Sequence, residues 1–406
     1  MSEWKEVSLS ELGKTITGKT PSSQYPEDFG DEVPFITPSD SFEKKYISRS
    51  ERYLSRLGSD RLKDKIISSD SIMVTCIGSA MGKVAKNSLP SVTNQQINSI
   101  IVNENFDSDY IYYLFKNNYA VFRNAASGST AIPILNKTDF DNLRFKVELD
   151  LNQQRKMVSI LSKIDAKIEI NNQINQELKA MAKTLYDYWF LQFDFPDQNG
   201  KPYKSSGGKM VYNPELKREI PEGWGVASLF DVAEVQYGYP FSTDYFNSTG
   251  DGVPVIRIRD ILGNDITNYS TEEVEDKYKI NVGDVLIGMD GNFHMNYWIQ
   301  EDCYLNQRVV KVNSDKLPNM VLKYQIEPFI KLREKSVSRT TVGHLSDKDL
   351  KAINVILPKE KYLSPIFERF ENILKNIIIN QQQNQELTQL RDWLLPMLMN
   401  GQAKVE

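Results

Sequence analysis

Cysteine and histidine are almost absent from this chain: its 406 residues include two of each. Cys76 and Cys303 lie far apart, with no CxxC spacing and no histidine neighbour, so neither a disulfide framework nor a zinc-ligand pattern is encoded. His294 and His344 are the only imidazoles available for acid-base or nucleophilic work, and both are expected on surface loops. Long apolar runs are missing too. No stretch approaches the roughly 20 residues needed to span a bilayer, and the start MSEWKEVSLS lacks a signal-like segment. A cytoplasmic protein without a membrane partner is expected.

One phosphate-binding pattern is present, and its surroundings argue against it. GKTITGKT, Gly13 to Thr20, satisfies GxxxxGK(S/T), a loop whose amides and lysine cradle phosphates. Such a loop follows a buried strand and opens a helix. Here a helix-like SLSEL precedes it, and PSS follows it, where proline turns the chain. Asp40 and Asp260 each end a strand-like run and read as turn caps rather than catalytic carboxylates. A methyltransferase would need a glycine-rich cofactor loop and an Asn-Pro-Pro-aromatic motif, and Asn213-Pro214-Glu215 is the nearest approach. The chain is therefore expected to be no enzyme, with no catalytic residue, metal or cofactor of its own.

The net charge of −5 weighs against a phosphate-binding partner, but its local distribution matters more. From Phe42 to Lys65 the chain carries Lys44, Lys45, Arg49, Arg52, Arg56, Arg61, Lys63 and Lys65, and a second cluster holds Lys331, Arg333, Lys335 and Arg339. Either cluster is a candidate footprint on nucleic acid.

What the chain does have is a duplication. WKEVSLS at Trp4 returns as WGVASLF at Trp224, and VPFITPSD ending at Asp40 returns as VPVIRIRD ending at Asp260, both 220 positions on. The offset then shrinks. SDSIMV at 69–74 matches VGDVLI at 282–287, Asn94-Gln95 matches Asn306-Gln307, Leu135 to Phe140 matches Leu345 to Leu350, and NQEL at 175–178 is identical to 384–387. Within each copy, short alternating apolar runs between Gly, Pro, Asn and Ser predict a mixed α/β (α+β) domain around a twisted sheet.

Each globular part is followed by a helix. Leu161, Ile164, Ile168, Asn171, Asn175, Leu178, Ala182, Leu185 and Trp189 step by three and four, and Phe370, Ile373, Ile377, Asn380, Asn384, Leu387, Arg391, Leu394 and Leu398 repeat the pattern, with Arg391 its awkward member. Two such seams in one chain are expected to pack antiparallel as a coiled coil, with the Asn171/Asn175 and Asn380/Asn384 levels meeting. A buried asparagine lowers stability and fixes register. The expected plan is a pseudo-two-fold repeat: domain 1 over residues 1–150, helix 151–195, an exposed connector 196–219, domain 2 over 220–358, and the second helix and tail over 359–406.

The order of these motifs resembles a known family. LSELGKTITGKTP after Trp4, PFITPSD, SGST at 127–130 before IPIL, QQRKMVSIL entering the helix, and the connector DQNGKPYKSSGGKM followed by EIPEGW are similar to the specificity subunit of type I restriction-modification enzymes. The second copy departs at its helix entry, where YLSPIFE replaces the usual Pro-x-x-x-Glu-Gln. The resemblance implies two target-recognition domains, each reading half of a bipartite, asymmetric site on double-stranded DNA. It implies docking of two adenine methyltransferase subunits along the helices, and of restriction/translocase subunits beyond them. S-adenosylmethionine, ATP and Mg would belong to those partners. DNA contacts are then expected from Thr17, Lys19, Lys44, Lys45, Arg49, Arg52, Ser129 and Thr130 in the first domain and from Arg257, Arg259, Arg333 and Arg339 in the second. The alternative is a coiled-coil scaffold that binds protein partners and no DNA.

Overall fold

The two ends of each repeat close on one another. Trp4–Ser8 pairs antiparallel with Arg144–Glu148, Trp4 opposite Glu148 and Ser8 opposite Arg144. Gly225–Ser228 pairs likewise with Asn354–Leu357, Gly225 opposite Leu357 and Ser228 opposite Asn354. A one-turn helix follows each opening strand, Leu9–Leu12 and Leu229–Val232. Serine starts both: the Glu11 carboxylate reaches back to the Ser8 amide at 2.7 Å, and the Ser228 hydroxyl accepts from the Phe230 amide at 3.3 Å. The structure is a computed structural model that describes residues 3–78, 80–125, 133–337, 343–358 and 364–403.

The chain divides into two compact units, residues 1–167 with 387–406 and residues 168–386, and both divisions fall inside the long helices Leu151–Tyr186 and Ser364–Met399. In the first unit one five-stranded sheet runs in the order Gly13–Thr17, Ile97–Val102, Ile72–Thr75, Val84–Asn87, Tyr46–Ile47. A second runs Phe29–Gly30, Arg52–Leu54, Val33–Ile36, Ser91–Thr93, Ile66–Ile67. Both are mixed, with parallel pairings at Val92 opposite Phe35 and Tyr46 opposite Lys86. The second unit repeats the plan with Glu234–Tyr237, Val309–Asn313, Val285–Gly288 and Met295–Tyr297 in one sheet, and keeps the parallel pairing of Val255 opposite Tyr304 in the other. This is the mixed α/β class the alternating runs predict.

Helix Ser108–Asn117 anchors the first core. Asp107 caps it by accepting from the Asp109 and Tyr110 amides at 3.0 and 3.1 Å, and Tyr110 to Phe115 are all buried, which ties the helix down on every side. A charged cluster sits beside it. Lys86, 1% exposed, lies 2.5 Å from one Asp109 oxygen, and Lys45 lies 2.7 Å from the other. Burial works to raise the Asp109 pKa, but hydrogen bonds and charge from Lys45 and Lys86 hold it below the ordinary aspartate range.

The long helices pair antiparallel within each unit. In the second, Asn171 Nδ2 donates to Asn384 Oδ1 at 2.8 Å, Asn380 Nδ2 donates to Asn175 Oδ1 at 2.9 Å, and Trp189 meets Phe370 edge-on with centroids 5.8 Å apart. In the first, Leu161 shares a core with Leu395 and Leu398. Arg391, out of place in an apolar seam, finds Asp165 at 3.0 Å, and the Tyr113 hydroxyl donates to the other Asp165 oxygen at 2.5 Å. Of the remaining seam positions, Ile164, Ile373 and Ile377 are buried, while Ile168, Leu178, Leu185, Leu387 and Leu394 are partly so.

The segment expected to be an exposed connector is folded. Met210–Asn213 and Arg218–Pro221 form a hairpin, and Phe195 stacks on Tyr203 at 4.7 Å and on Trp224 at 4.9 Å inside the second unit's core. The expected exposure holds, since residues 196–219 are exposed or partly so, but Tyr203 and the flanking Phe195 and Trp224 fasten the segment to the core.

Two outcomes follow for stability. Asn175→Leu alone strips Asn380 of its acceptor and should lower the denaturation midpoint by the equivalent of about 1–3 kcal/mol, whereas Asn175→Leu with Asn380→Leu should recover most of that loss; equal losses in both would show that the amide pair is not the cause. Asp109→Asn should cost about 1–3 kcal/mol at neutral pH, because it leaves the buried Lys86 with Asp70 as its one carboxylate partner and takes the charge from beside Lys45. A carboxylate held below its unfolded pKa stabilises above about pH 4 and loses that effect as pH falls through the lowered value. The gap between wild type and Asp109→Asn in urea titrations should therefore close on acidification.

Candidate nucleic-acid interface

A backbone frame, identical in the two units, gathers four loops. In the first, the Lys19 amide donates to Thr93 O at 2.8 Å, Asn94 to Ile36 O at 3.0 Å, Cys76 to Gln96 O at 2.7 Å and Leu135 to Cys76 O at 2.9 Å. In the second, Tyr239 donates to Leu305 O at 2.9 Å, Asn306 to Ile256 O at 3.1 Å, Met289 to Arg308 O at 3.0 Å and Leu345 to Met289 O at 2.7 Å. The approach is close enough to require glycine at one corner. A methyl group on Gly18 would overlap the carbonyl oxygens of Thr93 and Asn94, and one on Gly238 would overlap that of Asn306. Asp40 and Asp260 tie the remaining corner as turn caps. Their carboxylates accept from the amides of Thr37 and Arg257 at 2.7 and 2.9 Å.

On this shared frame the two units display different chemistry. The first presents hydroxyls and amides. Thr37 and Ser39 hydroxyls lie 2.7 Å apart, the Thr20 hydroxyl donates to Gln95 Oε1 at 2.5 Å, Asn94 Nδ2 donates to Gln96 Oε1 at 3.3 Å, and Lys19 is exposed beside them. The second presents arginine: Arg257, Arg259 and Arg308 stand where the first has Thr37, Ser39 and Gln96, and line a groove of 340 Å³. Amides and guanidinium groups are the side chains that match base edges two bonds at a time.

The structure sorts the residues singled out from sequence. Lys19, Lys44 and Arg49 are exposed on the loops of the first unit, and Arg259 is exposed in the arginine groove. Three others are turned to structural work. Thr17 donates to Asn98 Oδ1 at 2.7 Å within its own sheet. Lys45 lies between Asp109 and Ser162, with its ammonium 4.9 Å from the Tyr113 ring centre. Arg257 is clasped by Asp260 and Thr267. Arg52 lies over the Phe29 ring at 4.3 Å, and Arg333 lies 3.1 Å from Asp349 beside a separate groove. Ser129, Thr130 and Arg339 lie outside the described residues. Gln95, Gln96, Gln307 and Arg308 were missed, because a search for charge runs passes over them. The signal lay in the repeat itself, which returns Asn94-Gln95 as Asn306-Gln307. The GxxxxGK pattern dissolves for a plain reason: Gly13–Thr17 is a strand in its sheet, not a loop before a helix.

A family model described as the type I restriction modification DNA specificity domain matches residues 1–180 and again 221–389. This chain belongs to that family. The specificity subunit of the type I restriction enzyme MjaIX from Methanocaldococcus jannaschii is 28% identical over all of this chain and 94% of its own length. That of EcoBI from Escherichia coli is 30% identical over 42% of this chain and 36% of its own. The crystal structure of the S subunit of a type I restriction-modification system from M. genitalium shares the fold, with a TM-score of 0.60, 15% identity and coverage of 98% of this chain and 96% of that one. The chain is thus a specificity subunit, the non-catalytic, DNA-recognising member of its system, and the scaffold reading falls away. No helix among the described residues is long and apolar enough to cross a membrane.

The frame gives this specificity subunit a sharp test. Gly238→Ala should disorder the corner held by Asn306 and weaken DNA binding while Gly250→Ala, whose added methyl meets nothing nearby but sits at a φ of 94°, should do less harm. Melting curves and binding of the two variants compare them directly, and equal behaviour would deny the close approach its importance.

Proposed function

We propose that each unit reads one half of a bipartite, asymmetric DNA sequence and that the assembled complex methylates adenine there through two methyltransferase subunits, with restriction/translocase subunits completing the system in the cytoplasm. The observation that carries this reading is the pairing of one frame with two chemistries: Thr37, Ser39 and Gln96 in one unit against Arg257, Arg259 and Arg308 in the other. Equal frames grip equal backbones, and unequal side chains select unequal bases. S-adenosylmethionine, ATP and Mg are assigned to the partner subunits, and the helices provide surface for the methyltransferases. Ile170, Ile174 and Met181 on the first helix, at 43–50% exposure, offer apolar surface that such a partner would cover.

The deciding experiment is genome-wide adenine methylation in cells that express the chain with the adenine methyltransferase subunit from its own locus, compared with cells lacking the chain. A new bipartite motif is expected, and none from a soluble, associated pair would overturn the reading. Phosphate contacts are assigned to Lys19 and Arg49. Lys19→Glu with Arg49→Glu should reduce affinity and flatten its dependence on salt, the log–log slope falling by about 0.9 for each phosphate no longer neutralised. Because the chain is acidic overall, tight binding is expected only in the presence of the methyltransferase subunits; a gel shift of equal strength by the bare chain would contradict this.

A further inference from the structure

A single bridge separates the two reading surfaces most sharply. In the first unit it joins Ile77 to Ile134, apolar on both sides, and in the second it joins Asp290 to His344. The correspondence is set by the backbone, since Gly78 and Gly291 follow at left-handed φ of 81° and 69° and donate to the carbonyls of Pro133 and Gly343 at 3.1 and 2.9 Å. Three exchanges therefore occur together: Ile77, Ile134 and Gln96 in one unit, Asp290, His344 and Arg308 in the other. The three polar replacements touch. Asp290 Oδ2 lies 3.2 Å from Arg308 Nε, and Asp290 Oδ1 lies 2.6 Å from His344 Nδ1.

Holding a guanidinium through Nε turns its Nη edge outward as a fixed two-donor fork. Arg308 is the arginine so placed: its side chain is 52% exposed in the groove, whereas Arg257 is committed to Asp260 and Thr267. Two acceptors at fork spacing, N7 and O6, are what guanine shows in the major groove, and no other base shows both. We infer that Arg308 is a specificity-determining residue that reads a guanine in the half-site of the second unit, and that Asp290, buttressed by His344, is the positioning residue that aims it. The inference rests on the DNA-reading role proposed above. Gln96, at the same place in the first unit, carries an amide in place of the fork and so belongs to a half-site with a different requirement there.

The test uses the full chain with its methyltransferase subunit and reads methylated motifs from host genomic DNA. Arg308→Lys keeps the charge and removes the fork. It should relax one G·C position in one half-site, with about ten- to hundred-fold lower preference for guanine and the other half-site unchanged. Asp290→Asn should relax the same position, with an unaltered melting temperature and an unaltered second half-site, an effect that a purely structural carboxylate would not produce. A wild-type motif with no G·C pair in the affected half, or full guanine selection kept by Arg308→Lys, overturns the assignment and leaves the DNA-reading role standing. If Arg308→Lys fails to fold, Arg308→Gln, the residue of the first unit, serves instead under the same criteria. Loss of all methylation in a folded variant also overturns it, because the residue then supplies affinity and not selection. A wild type that yields no motif overturns the DNA-reading role itself.

Discussion

An asparagine amide that must find another across a helix pair constrains everything else in this molecule. Asn171 is fully buried and Asn175 nearly so, and the register that sets Asn171 against Asn384 and Asn175 against Asn380 gives Asn171 Nδ2 an acceptor and Asn175 Oδ1 a donor. A slip by one turn would keep only one asparagine pair, Asn171 with Asn380 or Asn175 with Asn384, and leave the other two amides facing apolar residues, at a cost of about 1–3 kcal/mol for each. Leucine would pack with greater stability and less discrimination. Arg391 obeys the same logic in the other unit, where Asp165 and Tyr113 complete it. In both units a polar group fixes the position of a helix that apolar packing alone would leave free to slide.

That constraint shapes how the chain must fold. The first unit takes residues 387–406 as part of itself, with Leu395, Leu398 and Met399 buried in the core that holds Tyr110 and Phe145. Its core is therefore incomplete until the last residues are available, more than 200 positions after the globular part. Contacts so distant in sequence carry a large loop-closure cost before any contact repays it. The buried tyrosines of helix Ser108–Asn117 and the Lys86–Asp109 cluster can hold the domain during that interval, since all of them lie within residues 1–167.

Much of this was readable from the sequence because it is written twice. Repetition exposed the seam, the equivalence of the two globular parts and the turn-capping role of Asp40 and Asp260, since a physical requirement recurs where a coincidence does not. Two things stayed hidden. Phe195, Tyr203 and Trp224 lie within or beside a stretch rich in glycine, serine and lysine, and composition averages away the few aromatics that make it a core. Lys45 looked like part of a basic patch because charge along a chain says nothing of the carboxylate that faces it, here Asp109, 64 residues later. The base-reading candidates escaped for a related reason. Gln96 and Arg308 have no resemblance to each other; each follows the repeated Asn-Gln pair, and the hydrogen bonds from Cys76 and Met289 to their carbonyls show that they hold the same place.

The separation of frame from reading surface is a physical solution to a duplicated binder with two targets. Glycine at 18 and 238, the aspartate caps and the backbone bonds to Thr93 and Leu305 position loops irrespective of what those loops carry. Side chains above the frame can then change freely, provided that a new charge arrives with its partner. Arg308 illustrates the condition. A guanidinium replacing Gln96 opposite Ile77 and Ile134 would have no anchor and many rotamers, and each side chain it must order on binding takes about 0.5–1.5 kcal/mol from affinity. With Asp290 in place of Ile77 and His344 in place of Ile134, that ordering is done before DNA arrives. On the proposed reading, specificity at this position is a property of three residues on three loops, and transplanting the arginine alone into the first unit would carry the charge without the aim.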